Sequence, residues 1–277
     1  LSDKNQNETL DWLIAQQFIP SYFNQIPEML NALPKGKNDS QNRTIVGGGT
    51  DLYVQKHAQL IDQNVDLISN TPNLNFIEIE NGVCTLGAGT TATDLIESDI
   101  FCSAIPRLKK HLKLVASSPI RNMATIGGNF VNASPIGDFT AFFLALNAKI
   151  KLTNKGQNRT IYLKDFYKGY KDLDKSPDEI VSTISFKLPT QDNHFNFEKV
   201  SKRIHLDIAS VNTAIQLTVS ENKITQVHLS AGGVGPIPMY LGKTCDFLMD
   251  KVLSPETVQS ANEIIQTEIN PISDVRG

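Results

Sequence analysis

Cysteine is scarce in this sequence. Only Cys84, Cys102 and Cys245 occur in 277 residues, odd in number, widely spaced and without a Cys-x-x-Cys pair. Such a set supplies no disulfide framework, zinc site or iron–sulfur site, and it suits a reduced, cytoplasmic protein with buried thiols. Histidine is sparse as well. His57, His111, His194, His205 and His228 show no ligand spacing, so each is read as a structural or surface residue. An excess of one charge is missing: the net charge is −3, and the cationic footprint of a nucleic-acid binder is absent. Long apolar runs are missing too, since stretches such as "FTAFFLALNA" are too short to cross a membrane. The polar start "LSDKNQNETLDW" is unlike a signal peptide. No paired carboxylates, Ser-His-Asp set or Cys-His set stands out, so no general base or nucleophile is assigned. The chain begins with Leu1 and ends at "SDVRG", which reads as a piece of a longer polypeptide or a trimmed one.

What is present is ample for a core: 40% of the residues are hydrophobic, at a length that suggests two lobes or domains. "QIPEMLNAL" reads as a short helix with Pro27 in its first turn. "RTIV" (43–46) is a strand that ends in three glycines, and Thr50 is placed to cap a helix from Asp51 to about Ala58. "VDLIS" is another strand. "NFIEIENGVCTLGAG" is a hairpin around Asn81-Gly82. "TATDLIES" is a helix with a capping Thr, and "PRLKKHLKLVA" is an amphipathic helix with a solvated cationic face. "AKIKLTN" and "RTIYLKDF" form a second hairpin. After about residue 175 the texture changes to strands: "DEIVSTISFKL", "FNFEKVS", "DIASVNTAIQLTVS" and "KITQVHLSAGG". A helix follows in "SPETVQSANEIIQTEI", with Ser254 as cap and Pro255 at its first position. The order is α+β, and a boundary is expected near 190, at "LPTQDNH". There is no internal repeat.

Two glycine-rich passages carry the functional signal. In "IVGGGTDL" a strand leads through glycines into a helix start. Consecutive N–H groups and the partial positive charge of a helix N-terminus can hold phosphate without lysines. The passage is not Gly-x-Gly-x-x-Gly, because Leu52 stands where the third glycine would be, and no Gly-Lys-Ser/Thr follows. A plain glycine turn is the competing reading. Asp51 is unwelcome beside an anion, so it points aside or caps. "LGKT" (241–244) imitates the end of a P-loop, but Ile237 occupies the position of the required first glycine, and a turn is expected there. In "MATIGGNFVNASPIGD", Gly127 and Gly128 offer open backbone, and Thr125, Asn129 and Ser134 offer side-chain hydrogen bonds. Asp138 either caps the following helix or meets ribose hydroxyls. So many polar groups in a segment due for burial call for partners.

"IVGGGTDL", "IRNMATIGGNFVNASPIGD", "KVSKRIHLDIASVNTA" and "AGGVGPIPM", in that order, resemble the flavin-binding domain of the molybdenum hydroxylases. The similarity is greatest to bacterial xanthine dehydrogenase small subunits, with CO dehydrogenase medium subunits sharing the plan. It covers about residue 18 to the end. The resemblance implies an α+β fold of two FAD-clasping subdomains, of the vanillyl-alcohol-oxidase-like kind. These occupy 1–190, with a split near 90–105. A C-terminal domain of a three-stranded sheet with helices, like that of CO dehydrogenase flavoproteins, fills 191–277. It also implies that Ile45, Val46, Gly47, Gly48, Gly49, Thr50, Asp51 and Leu52 hold the FAD diphosphate. Thr125, Ile126, Gly127, Gly128, Asn129, Ser134 and Asp138 then wrap the diphosphate, ribose and adenosine side. An aromatic residue of some relatives falls at about Val115, so an aliphatic flavin contact is expected. Lys202 and Arg203 of "SKR" are expected near the flavin ring, with a surface pair as the alternative. The implied work is electron transfer from iron–sulfur clusters through FAD to NAD+ or oxygen. Molybdopterin and [2Fe-2S] clusters would be held by partner domains or subunits. A flavin-free docking member of the fold and a stand-alone flavin reductase or oxidase are the alternatives.

Overall fold

The computed structural model describes residues 6–32, 43–69, 71–190 and 192–273. The chain divides into two units, 1–42 and 43–277. In the first, helix α1 (Gln6–Ala15) is followed by a 3-10 turn and helix α2 (Ile26–Ala32), the expected "QIPEMLNAL" helix. Leu33 of that stretch, Gln191 of the expected boundary and the terminal "DVRG" lie outside the described residues.

The second unit opens with strands β1 (Arg43–Val46) and β2 (Asn64–Leu67), paired in parallel and joined by helix α3 (Leu52–Leu60). A parallel pair needs such a crossover, and the glycines lie where the chain leaves β1 for it. Next come β3 (Ile77–Glu80) and β4 (Val83–Gly87), the expected hairpin. Asn81 and Gly82 both take positive φ, 50° and 75°. This is the primed turn that Asn-Gly favours, because its twist matches that of the strands.

A run of short helices follows: α4 (Ala92–Glu97), α5 (Asp99–Ala104), α6 (Leu108–Lys113), α7 (Ser118–Met123) and α8 (Ile126–Asn132). Thr91 starts α4 with a full capping box against Asp94. In α6, Leu108, His111 and Leu112 are buried and the lysines face out. Helix α9 (Asp138–Ala145) is buried nearly throughout. A helix that is apolar on every side must lie inside the molecule.

Strands β5 (Lys149–Asn154) and β6 (Gln157–Tyr162) form the second expected hairpin; β7 (Tyr167–Gly169) and β8 (Asp172–Leu173) make a small one. Strand β9 (Ile180–Lys187) then inserts between β4 and β5. The resulting sheet has the order β3-β4-β9-β5-β6. It takes strands from both sides of 90–105, so it does not end there.

The C-terminal sheet is a meander of β10 (Asn193–Val200), β11 (Val211–Ser220) and β12 (Lys223–Gly232). The two-residue β13 (Met239–Tyr240) pairs on β12, a short fourth strand beyond the three expected. Helix α10 (Gly242–Leu248) occupies the "LGKT" stretch, where only a turn was expected. Helix α11 (Pro255–Glu268) begins as expected, with Ser254 Oγ accepting from Thr257 N at 3.2 Å.

One core joins these layers. Phe143 of α9 meets the rings of Phe130, Phe142 and Phe186 at 5.6, 5.5 and 5.5 Å, and Phe142 meets Phe195 of β10 at 4.7 Å. Ser230 of β12 donates its hydroxyl to Ala141 O at 2.6 Å, so α9 packs on the C-terminal sheet as well. Phe143→Ala removes a fully buried ring with three aromatic neighbours. It is expected to cost about 3–5 kcal/mol, read as a lower denaturant midpoint at unchanged slope.

Candidate functional site

Residues 47–51 form the turn between β1 and α3. Among the described residues, the N–H groups of Gly47, Gly48, Gly49 and Thr50 donate to no backbone carbonyl. The expected cap by Thr50 does not form. Asp51 holds the N-cap position of α3 without a side-chain bond to the helix backbone, and its Oδ2 accepts from Gln55 Nε2 at 2.7 Å. No side chain caps the helix start, while Tyr53 N and Val54 N donate to Gly49 O and Asp51 O at 2.9 and 3.1 Å.

The second glycine passage behaves differently. Ile126 N donates to Thr90 O and Gly127 N to Ala88 O, both at 2.9 Å. Gly128 N donates to Thr125 Oγ1 at 3.1 Å and Asn129 N to Thr125 O at 3.0 Å. The expectation of open backbone at Gly127 and Gly128 is corrected here: these donors are already used, because Thr125 caps α8 and Ala88, in the stretch just after β4, takes the Gly127 N–H. The glycines serve close packing. A Cβ on Gly127 would lie 2.7 Å from Ala88 Cβ, and one on Gly48 would lie 1.5 Å from Met123 O. The two passages are thus pressed together, backbone on backbone.

Beside them is a cavity of about 670 Å3. Ile45, Val46, Gly47, Gly48, Gly49, Thr50, Asp51 and Leu52 all line it, as do Thr125, Gly127, Gly128 and Asn129. The other expected residues do not. Ile126 and Val115 are buried in the core and lie outside this lining. Ser134 is half-buried and outside the cavity lining. Arg203 is exposed and pairs with Asp207 at 3.4 Å, and Lys202 also lies outside the lining.

Asp138 is no helix cap. Gly137 holds the cap position of α9, and the Asp138 carboxylate reaches across to the C-terminal sheet. It accepts from Lys199 Nζ at 2.8 Å and from Asn212 Nδ2 at 2.7 Å. The Lys199 side chain is 3% exposed and also donates to Leu114 O at 2.9 Å. Burial pushes the Asp138 carboxyl up, and the Lys199 ammonium opposes that. The buried cation is Lys199 rather than the "SKR" pair three residues on. Its place at the end of an alternating strand was the only available signal.

Sequence reasoning also missed a third wall of the cavity, formed by residues of the 171–181 segment. Lys171 and Lys175 stand there, as does Glu179. Arg159 grips Glu179 through two bonds, at 2.7 and 2.9 Å, and holds its carboxyl down at about 2. Among the described residues no group of three or more His, Cys, Asp or Glu could hold a metal ion, and no helix is long and apolar enough to cross a membrane.

Residues 16–190 match the family model described as the FAD binding domain in molybdopterin dehydrogenase. The chain belongs to that family. Residues 196–277 match the CO dehydrogenase flavoprotein C-terminal domain. The chain is 28% identical to the glyceraldehyde dehydrogenase medium chain of Sulfolobus acidocaldarius, over 90% of this chain and 89% of that one. It is 25% identical to xanthine dehydrogenase 1 of Arabidopsis thaliana, over 91% of this chain but only 20% of that far longer protein. Among solved structures, reconstituted CO dehydrogenase from Oligotropha carboxidovorans superposes with a TM-score of 0.79 at 26% identity. That match covers 86% of this chain and 83% of the other. The chain is therefore the FAD-binding component of a molybdenum hydroxylase, an oxidoreductase. Its residues fit that cofactor: unpaired N–H groups at a helix start suit a diphosphate, and the cavity has the size of a small-molecule site.

Two outcomes follow from this geometry. Gly48→Ala forces Met123 O aside and is expected to lower stability by about 1–3 kcal/mol, measured by urea unfolding. Glu179, held low, stabilises the fold above its ordinary carboxylate range, and that contribution is lost as pH falls from there toward about 2. Arg159→Met is expected to flatten this part of the stability–pH curve.

Proposed function

We propose that this chain passes electrons from [2Fe-2S] clusters in partner domains or subunits, through FAD in this cavity, to NAD+. The reducing substrate would be oxidised at a molybdopterin centre on a further partner, which also selects that substrate. Oxygen is the competing acceptor. The single observation that carries the reading is the Gly47–Thr50 turn at the start of α3, whose residues line the cavity of about 670 Å3 and whose N–H groups, among the described residues, donate to no backbone carbonyl.

When bound, FAD supplies the redox chemistry, and the protein positions it and excludes side reactions. The turn would hold the diphosphate through backbone N–H groups, aided by the N-terminal charge of α3. Thr125 and Asn129 would border it from α8. The Asp138–Lys199–Asn212 cluster fixes the far end of the 123–138 passage against the C-terminal sheet. The division into a flavin-binding part, 1–190, and a C-terminal part, 191–277, belongs to this reading, as does a cytoplasmic setting.

The test is the visible absorption spectrum of the purified chain, with and without added FAD, followed by anaerobic NADH. A flavin band bleached by NADH is expected. A band that NADH leaves unchanged would remove NAD+ as the acceptor. No band after reconstitution would overturn the flavin assignment itself.

A further inference from the structure

The cavity that holds the open turn also holds charge that the turn does not explain. Lys171 sits at the tip of the β7–β8 turn, with φ of 58°. Its ammonium donates to both oxygens of Asn132, the last residue of α8; the contact to Oδ1 is 3.1 Å. Lys175 is half-buried and donates to Ser176 O at 2.9 Å and Pro177 O at 3.4 Å. All of these acceptors are neutral. Among the described residues neither lysine has a carboxylate at ion-pair distance, whereas Lys168 and Lys199 do.

The acids near the cavity offset them only in part: Glu179 and Asp178 favour the charged form of Lys175 through space, without an ion-pair contact. Glu179 is taken by Arg159. Asp51 remains, against Lys56, Lys171 and Lys175. The cavity thus carries an excess of positive charge, although the chain as a whole is negative. Burial also disfavours the charged form of Lys175, so it is not an ordinary solvated lysine. An ammonium has three donors, and each of these two finds only two protein acceptors. Capacity and charge are left over for an anion.

A diphosphate meets that requirement. Backbone N–H groups give it direction but only partial charge, and Asp51 beside them repels it. Two lysines on a separate segment restore the balance. We propose that Lys171 and Lys175 neutralise the diphosphate of the dinucleotide in this cavity, and so set its preference for a flavin dinucleotide over an uncharged flavin. The inference rests on the flavin reading of the cavity.

The test compares FAD with riboflavin. Affinities are measured by flavin fluorescence over a salt series, for the wild type, K171M/K175M and K171R/K175R. The Met variant is expected to bind FAD about 10- to 100-fold more weakly, as befits lost hydrogen bonds to a charged group. Its FAD affinity should also lose salt dependence, riboflavin affinity should stay unchanged, and the Arg variant should keep FAD. Unchanged FAD binding in the Met variant would overturn the assignment. An equal loss for both flavins would overturn it too, since the lysines would then act on shape alone. Should the double variant fail to fold by circular dichroism, K171Q and K175Q singly decide in the same way. Wild-type protein that binds neither flavin would remove the flavin reading and this inference together. Wild type that binds FAD beside an unaffected variant removes only the lysine assignment.

Discussion

The structure depends on a contact between two stretches of backbone. Gly48 lies so close to Met123 O that a methyl group on it would sit at 1.5 Å. Only glycine permits that approach. The Gly47–Thr50 turn pressed there lines the cavity, and among the described residues its N–H groups donate to no backbone carbonyl. The partner passage is rigid for a matching reason. Its N–H groups are bonded to Thr90, Ala88 and Thr125, so it acts as a wall and not as a second cradle.

That wall is held from behind. Helix α9 is buried among Phe130, Phe186 and Phe195, and the Asp138–Lys199 pair at its start is withdrawn from water with Asn212 completing the bonds. A pair buried this deeply is weak evidence for net stability but strong evidence for a fixed arrangement, since separating the partners leaves a bare charge inside. It joins the start of α9 to Lys199 of β10 and Asn212 of β11, which lie 61 and 74 residues further along the chain. The second glycine passage and the C-terminal sheet are tied through this helix.

Much of the fold could be read from the sequence because its signals are local. The Asn81-Gly82 hairpin, the Thr91 and Ser254 caps and the "RTIV" strand all depend on residues within a few positions of one another. The first glycine passage was legible on the same ground, because a strand, a turn and a helix start are consecutive. The helix at Gly242–Leu248 was not, since "LGKT" carries no apolar period strong enough to separate a short helix from a turn. Nor was the role of Gly127 and Gly128, since glycine for an open nest and glycine for close packing look alike in one dimension.

The sequence by itself determined the locally signalled elements, such as the Asn81-Gly82 hairpin, the "RTIV" strand and the Thr91 and Ser254 helix starts, and that a glycine turn follows that strand. Periodicity, capping and φ preferences decide these within a few residues. Tertiary structure alone decided which of the two glycine passages stays open, that Lys199 rather than Lys202 or Arg203 is the buried cation, and that Lys171 and Lys175 share a cavity with a turn more than a hundred residues earlier. Those outcomes depend on which backbone lies across from which. Such contacts are fixed by the packing of distant segments, for which a single chain carries no local mark.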